Sequence, residues 1–160
     1  METIKSMILR SEDKEAVSMF GSLVSNFISQ EHRIAFEGFT SDSAKQRRVP
    51  GPNNDINVLA QEGDKTLSRY FFHYLQVAIP VPKTRRGVIN ELTKNERLAK
   101  VADEIGINIY YGHLPSSLSV HCKGTIIEAL VEAIYEHTNR NDIEFERIFS
   151  PLARTIMKDV

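Results

Sequence analysis

The chain has little cysteine: the single Cys122 excludes an internal disulfide and a cysteine-based zinc site, and it is read as a small buried apolar side chain. It also lacks an excess of charge of either sign. Its 20 basic and 21 acidic residues give a formal net charge of -1, so any contact with a polyanion has to come from a local patch. No apolar run approaches the length of a membrane span. Met1 to Arg10 has neither the layout of a secretory signal nor the long Arg/Ser-rich character of a mitochondrial presequence. The expectation is a soluble, intracellular protein of the cytoplasm or nucleus with no membrane partner, a mitochondrial location being left open. Strand alternation and internal repeats are missing as well, which points to an all-α fold.

What is present suits one ordinary core. A length of 160 residues with 41% hydrophobic and 26% charged content predicts a single domain over 1–160. Ser11, with Glu12, Asp13 and Glu15 behind it, caps an apolar series Val17, Phe20, Val24, Phe27 and Ile28 at helical spacing. A short helical stretch over Ile34 to Phe39 gives way to a Pro/Gly-containing loop, Ser41 to Asn54. This loop carries Lys45, Arg47 and Arg48, a weak candidate RNA-contacting cluster that also reads as a solvated loop.

From Ile56 to Ala78, Leu59, Leu67, Phe71, Tyr74, Leu75 and Ala78 recur every three or four residues, up to the stop Ile79-Pro80-Val81-Pro82. This is expected to be the central, largely buried helix. Val88 to Leu92 and Leu98 to Ile105 predict two further helices or one interrupted helix, with Gly106 as the carboxy-terminal cap. After an irregular stretch, Ile107 to Leu114, and a turn at Pro115, a helix is predicted over about Cys122 to His137. A last one follows over Glu144 to Met157, with Phe145, Ile148, Phe149, Leu152 and Ile156 on one face.

Two segments carry the chemistry. The first, Asn57-Val-Leu-Ala-Gln-Glu-Gly-Asp64, opens the long helix; the second is Gly124-Thr-Ile-Ile-Glu-Ala-Leu-Val-Glu-Ala-Ile-Tyr135. In order and spacing they resemble the ribonuclease III family, whose signature helix reads Glu-Arg-Leu-Glu-Phe-Leu-Gly-Asp and whose later helix reads Asp-x-x-Glu-Ala-Leu-x-x-Ala-x-Tyr. Leu59, Gly63 and Asp64 match the first, and Glu128, Ala129, Leu130, Ala133 and Tyr135 match the second. Between them, Asn95, Leu98 and Ala99, then Ile105-Gly106-Ile107, are similar to the family's connecting segment. The resemblance covers about residues 15–155 and extends to no double-stranded-RNA-binding domain, as in bacterial Mini-III and short fungal ribonuclease III-like proteins.

The resemblance implies an all-α ribonuclease III-type endonuclease fold, a homodimer, and double-stranded RNA as substrate. It also implies Mg²⁺ or Mn²⁺ as cofactor of an endoribonuclease, a hydrolase acting in RNA processing. Phosphodiester hydrolysis of this kind uses hard oxygen ligands, because the ion activates water and neutralises charge on the phosphate. Asn57, Ala60 and Asp64 fall on one helical face, and Thr125 and Glu128 lie one turn apart on another. Of the four positions that bind the shared metal in the family, Asp64 and Glu128 keep their carboxylates, while Ala60 and Thr125 occupy the others. Asp64 and Glu128 are thus the expected catalytic and metal-binding residues, with Asn57 and Thr125 as neutral candidate ligands. Gln61 replaces the family's Phe, an apolar plug for the partner subunit.

Three readings follow: a divalent-ion-dependent double-stranded RNA endonuclease of reduced activity; an inactive fold, a pseudoenzyme, serving RNA binding or complex assembly; and a repurposed fold with a small-molecule pocket near Asp64, His121 and Glu128. Glu132, one turn beyond Glu128, belongs to the alternative pocket or else reads as a solvated or interface carboxylate. His121 is a candidate general base or a member of a hydrogen-bond network.

Overall fold

The computed structural model describes residues 15, 22, 55–104 and 120–158, with the backbone alone for 55–57. Among the described residues five helices are delimited: α1 (Asp55–Tyr74), α2 (Pro82–Leu92), α3 (Asn95–Glu104), α4 (Val120–His137) and α5 (Asp142–Met157). Among the described residues there is no strand, and the fold is all-α. None of these helices is long and apolar enough to cross a membrane. Glu15 and Ser22 are helical, and Glu15 pairs with Arg147 of α5 at 3.4 Å. The expected helix at 34–39, the basic loop with Lys45, Arg47 and Arg48, and the Gly106 cap lie outside the described residues.

α4 occupies the centre. Its Cys122, Ile126, Ile127, Leu130, Val131 and Ile134 are all fully buried, and a helix apolar on nearly every side has to be enclosed by others. The sequence reading gave this role to α1, which instead buries one strip, Ala60, Leu67 and Phe71, and shows Gln61, Glu62, Lys65 and Arg69 to solvent. The apolar positions of α1 have the right period but too narrow an arc. α1 and α3 flank α4, and α5 packs on it with Phe145, Ile148, Phe149, Leu152 and Ile156 buried as the periodicity predicts.

Local chemistry sets the helix ends. α1 stops at Tyr74, four residues short of the predicted end, and the chain continues through turns in which Ile79 N–H still donates to the Leu75 carbonyl at 2.8 Å. Pro80 disfavours helical backbone at Ile79, so the last turn loosens before it. α2 begins at Pro82, earlier than expected, because proline fits the first helical position, where no amide donor is needed. The α4 to α5 connection turns through Asn139 and Arg140, both in the left-handed region at φ 54° and 58°. There the Arg140 amide donates to the Tyr135 carbonyl at 3.0 Å and ends α4. Asn141 then caps α5, its side chain accepting from the amides of Ile143 and Glu144 at 3.1 and 3.0 Å.

Two glycines let α4 be approached closely. A Cβ on Gly63 would collide with the Glu128 carbonyl of α4, and one on Gly124 would collide with the Asn95 side chain at the start of α3. The first contact brings the signature segment of α1 against the middle of α4.

Candidate functional site

Gly63 and the neighbouring Asp64 place a carboxylate beside Glu128 across the α1–α4 contact. Asp64 is open to solvent on its outer edge, yet burial of part of its carboxyl pushes its pKa above the ordinary carboxylate range. Glu128 is half-buried, and its pKa rises to about 8, first because burial disfavours the charged form and second because the negative charge of Asp64 faces it. Among the described residues no cationic side chain stands among the influences on either group. Two acids from two helices, more than sixty residues apart in sequence, therefore share one small region.

The other positions of the motif behave differently. Ala60 is 5% exposed and belongs to the apolar core, so the position one turn before Asp64 serves packing. Thr125, one turn before Glu128, is buried, and its hydroxyl donates to the His121 carbonyl at 2.8 Å. That bond uses the proton and leaves the oxygen able to accept or to ligate. Asn57 lies in the first turn of α1, its side chain outside the described ones. Gln61 is exposed, and Glu62 faces solvent beside Lys65 at 3.4 Å, away from the carboxylate pair as its position on the helix predicts.

His121 and Glu132 each have partners of their own. His121 Nδ1 lies 2.8 Å from the Asn95 amide nitrogen, and with that amide donating, the ring keeps its proton on Nε2. Glu132 is fully buried rather than solvated. It accepts from the Thr66 hydroxyl at 2.8 Å and from Arg140 Nη2 at 3.0 Å, in a closed cluster behind the α1–α4 contact. The reading of Glu132 as a solvated or interface carboxylate is thus corrected: its partners come from α1 and from the left-handed turn after α4. Thr66 and Arg140 were not singled out in the sequence, and Asn95 was noted only as part of the connecting segment. Polar residues at helix surfaces carry no sign in the sequence of whether they face solvent or each other.

Among the described residues no group of three or more His, Cys, Asp or Glu side chains is placed to hold a metal ion. The donor chemistry at Asp64 and Glu128 is nevertheless that of a sparse Mg²⁺ site, which uses one or two carboxylates, keeps several waters and shares substrate phosphates. The two carboxylates are the residues whose oxygens could serve such an ion. Away from this pair, a cleft of about 450 Å³ opens between the end of α1 and the start of α5, lined by Tyr70, His73, Tyr74, Asp142 and Glu146 among others. The Tyr70 ring packs edge-on against Phe149 at 4.8 Å, and burial, followed by the charge of Glu146, pushes its phenol up.

Compared with known proteins, the chain matches no protein-family model, no curated protein and no solved structure.

Proposed function

We propose that the chain is a ribonuclease III-like domain that acts on double-stranded RNA as a divalent-ion-dependent endoribonuclease of reduced activity. One observation carries this reading: Asp64 and Glu128, the two acids that the motif resemblance selects, face each other across α1 and α4, with no cationic side chain of the described residues among the influences on either. Asp64 and Glu128 would hold Mg²⁺ or Mn²⁺, which when bound activates water and neutralises charge on the phosphate.

The chain's own residues set how well this works. Gly63 holds the two helices at the separation that joins the carboxylates. Glu128 keeps its proton over much of the neutral range when no cation is present, so ion binding has to displace that proton and strengthens as pH rises through about 8. Thr125 offers one neutral oxygen at the edge of the pair, and Ala60 offers none. With two carboxylates in place of four, affinity for the free ion is low and depends on the phosphate of the bound substrate.

A two-fold homodimer belongs to the same reading, with a contact set that differs at the exposed Gln61. The test is cleavage of a long RNA duplex with Mg²⁺ or Mn²⁺ by the wild-type chain and by Asp64→Asn and Glu128→Gln. Both substitutions abolish divalent-dependent cleavage if the reading holds, and cleavage that survives both sinks it. A second reading, an inactive fold used for RNA binding or complex assembly, draws on the apolar role of Ala60, which leaves the cage short of a ligand. It requires duplex binding that ignores divalent ions and both substitutions, with no cleavage at all.

A further inference from the structure

The cleft between the end of α1 and the start of α5 lies away from Asp64 and Glu128, and buried neighbours hold part of its polar lining in place. Thr66, in that lining, is 7% exposed, and its hydroxyl donates to the fully buried Glu132 at 2.8 Å, which leaves the oxygen free to accept. Arg69 of the lining rests on the buried Tyr135 ring, 4.9 Å from its centre, and the Tyr135 hydroxyl donates to Asp142 of the lining at 3.0 Å. Arg69 and Asp142 are thus set against one ring, 3.6 Å apart, and their charges offset each other. That distance is too long for a hydrogen bond, so the guanidinium keeps its in-plane donors.

Other groups of the same lining have no such partners. Glu146 of α5 is exposed and makes no hydrogen bond or ion pair with a described residue, and the same holds for His73 of α1. The Tyr70 hydroxyl has no hydrogen-bond partner among the described residues either, and it stays protonated because burial, then the charge of Glu146, push its pKa up. Tyr74 stacks one face on Tyr70, with ring centres 5.6 Å apart and planes 16° apart. It is half-exposed, and among the described residues no second ring packs on it.

The chemistry of these groups sorts by helix: α1 supplies the donors, Arg69 and His73, with a free aromatic face, and α5 supplies the carboxylate without a partner. A free aromatic face suits a planar ring. A carboxylate has two oxygens that only accept, so it selects an edge with two adjacent N–H donors, whereas a guanidinium fork selects an edge with two acceptors. Guanine has both, the N1 and N2 donors on its Watson–Crick edge and the O6 and N7 acceptors on the other. Adenine, cytosine and uracil each set an acceptor beside the donor that a carboxylate would meet. We propose that this cleft binds a guanine base stacked on Tyr74, with Glu146 accepting from N1 and N2 and Arg69 donating to O6 and N7. The volume of about 450 Å³ lies within the roughly 300–1,000 Å³ of small-molecule sites and admits a nucleoside. The proposal does not rest on the Asp64–Glu128 pair or on the nuclease reading.

The test is calorimetric titration and thermal unfolding of the full chain with guanosine, inosine and adenosine, then with short single-stranded RNAs that differ only in one guanine or adenine. Saturable binding and stabilisation by guanosine are expected, weaker for inosine, which lacks the N2 donor, and absent for adenosine. Glu146→Gln and Tyr74→Ala, both at exposed positions that the core does not need, are each expected to lower guanosine affinity about tenfold. Tighter binding of the guanine-bearing RNA than of guanosine would identify RNA as the source of the base, and equal binding would identify a free nucleoside or nucleotide. No saturable response to guanosine, an equal response to adenosine, or guanosine affinity unchanged in either variant overturns the proposal. Asp64→Asn keeps the guanosine response, so failure of the nuclease reading leaves this one standing.

Discussion

Two glutamates one turn apart on α4 have opposite fates. Glu132 is completely buried, and the Thr66 hydroxyl and the Arg140 guanidinium satisfy its carboxylate. Glu128 is only half-buried, yet burial first and then the like charge of Asp64 push its pKa up to about 8. The two differ in the sign and number of their partners: one carboxylate meets a hydroxyl and a guanidinium, the other a second acid. The first glutamate ties α1 to the turn after α4, and the second stores a repulsion that an added cation or proton relieves.

The largest expected effect comes from breaking the contact both acids depend on. Gly63→Ala drives a methyl into the Glu128 carbonyl, a backbone atom that cannot step aside cheaply. A loss of about 3 kcal/mol in denaturant unfolding is expected, together with a return of the Glu128 pKa towards the ordinary range in an NMR titration. Wild-type stability in that variant would remove the close α1–α4 approach from the account.

Next comes Arg140→Ala, which leaves Glu132 buried with Thr66 alone. About 3 kcal/mol is expected, whereas Thr66→Val, which keeps the ion pair, costs about 1–2 kcal/mol by the same measurement. A double variant close to additive would show that the two bonds act separately.

The pH dependence tests Glu128 directly. Because the folded chain holds a proton on Glu128 up to about 8 and the unfolded chain releases it near 4.5, the folded state binds more protons between these values. Its contribution to stability is therefore full below about 4.5 and is lost as pH rises through about 8. Glu128→Gln removes that slope from melting curves across this range, and an unchanged slope would show that another group carries it. Asp64→Asn, which deletes the smaller of the two causes, moves the Glu128 midpoint down only part of the way. The smallest effect is a control: Gly87→Ala on exposed α2, where a Cβ meets nothing within 4 Å, is expected to stabilise by about 0.5–1 kcal/mol.

Much of this could be read from the amino acids. Periodicity pointed to each of the five described helices, with α2 and α3 left open as one interrupted helix, because spacing within a helix fixes which side chains share a face. It could not rank α1 and α4 by burial, since that depends on how many neighbours surround each apolar arc. Nor could it foresee the Glu132 cluster, whose partners are Thr66, distant in sequence, and Arg140, aimed inward by left-handed backbone. Arg85 was invisible for the same reason: within Lys83-Thr-Arg-Arg-Gly87 it looks like one more solvated charge, and only tertiary packing puts it under Phe72.

The close approach of α1 to α4 also bears on the order in which the molecule assembles. α4 and α5 are neighbours along the chain and can pair as a hairpin through a short turn, but α1 reaches α4 only after a long intervening segment has been looped back. The entropy of that closure has to be met before Gly63 and Glu128 touch. Loop closure would therefore join the carboxylate pair after the α4–α5 turn has formed, and pulse-labelling hydrogen exchange that protects α1 no later than α5 would refute that order.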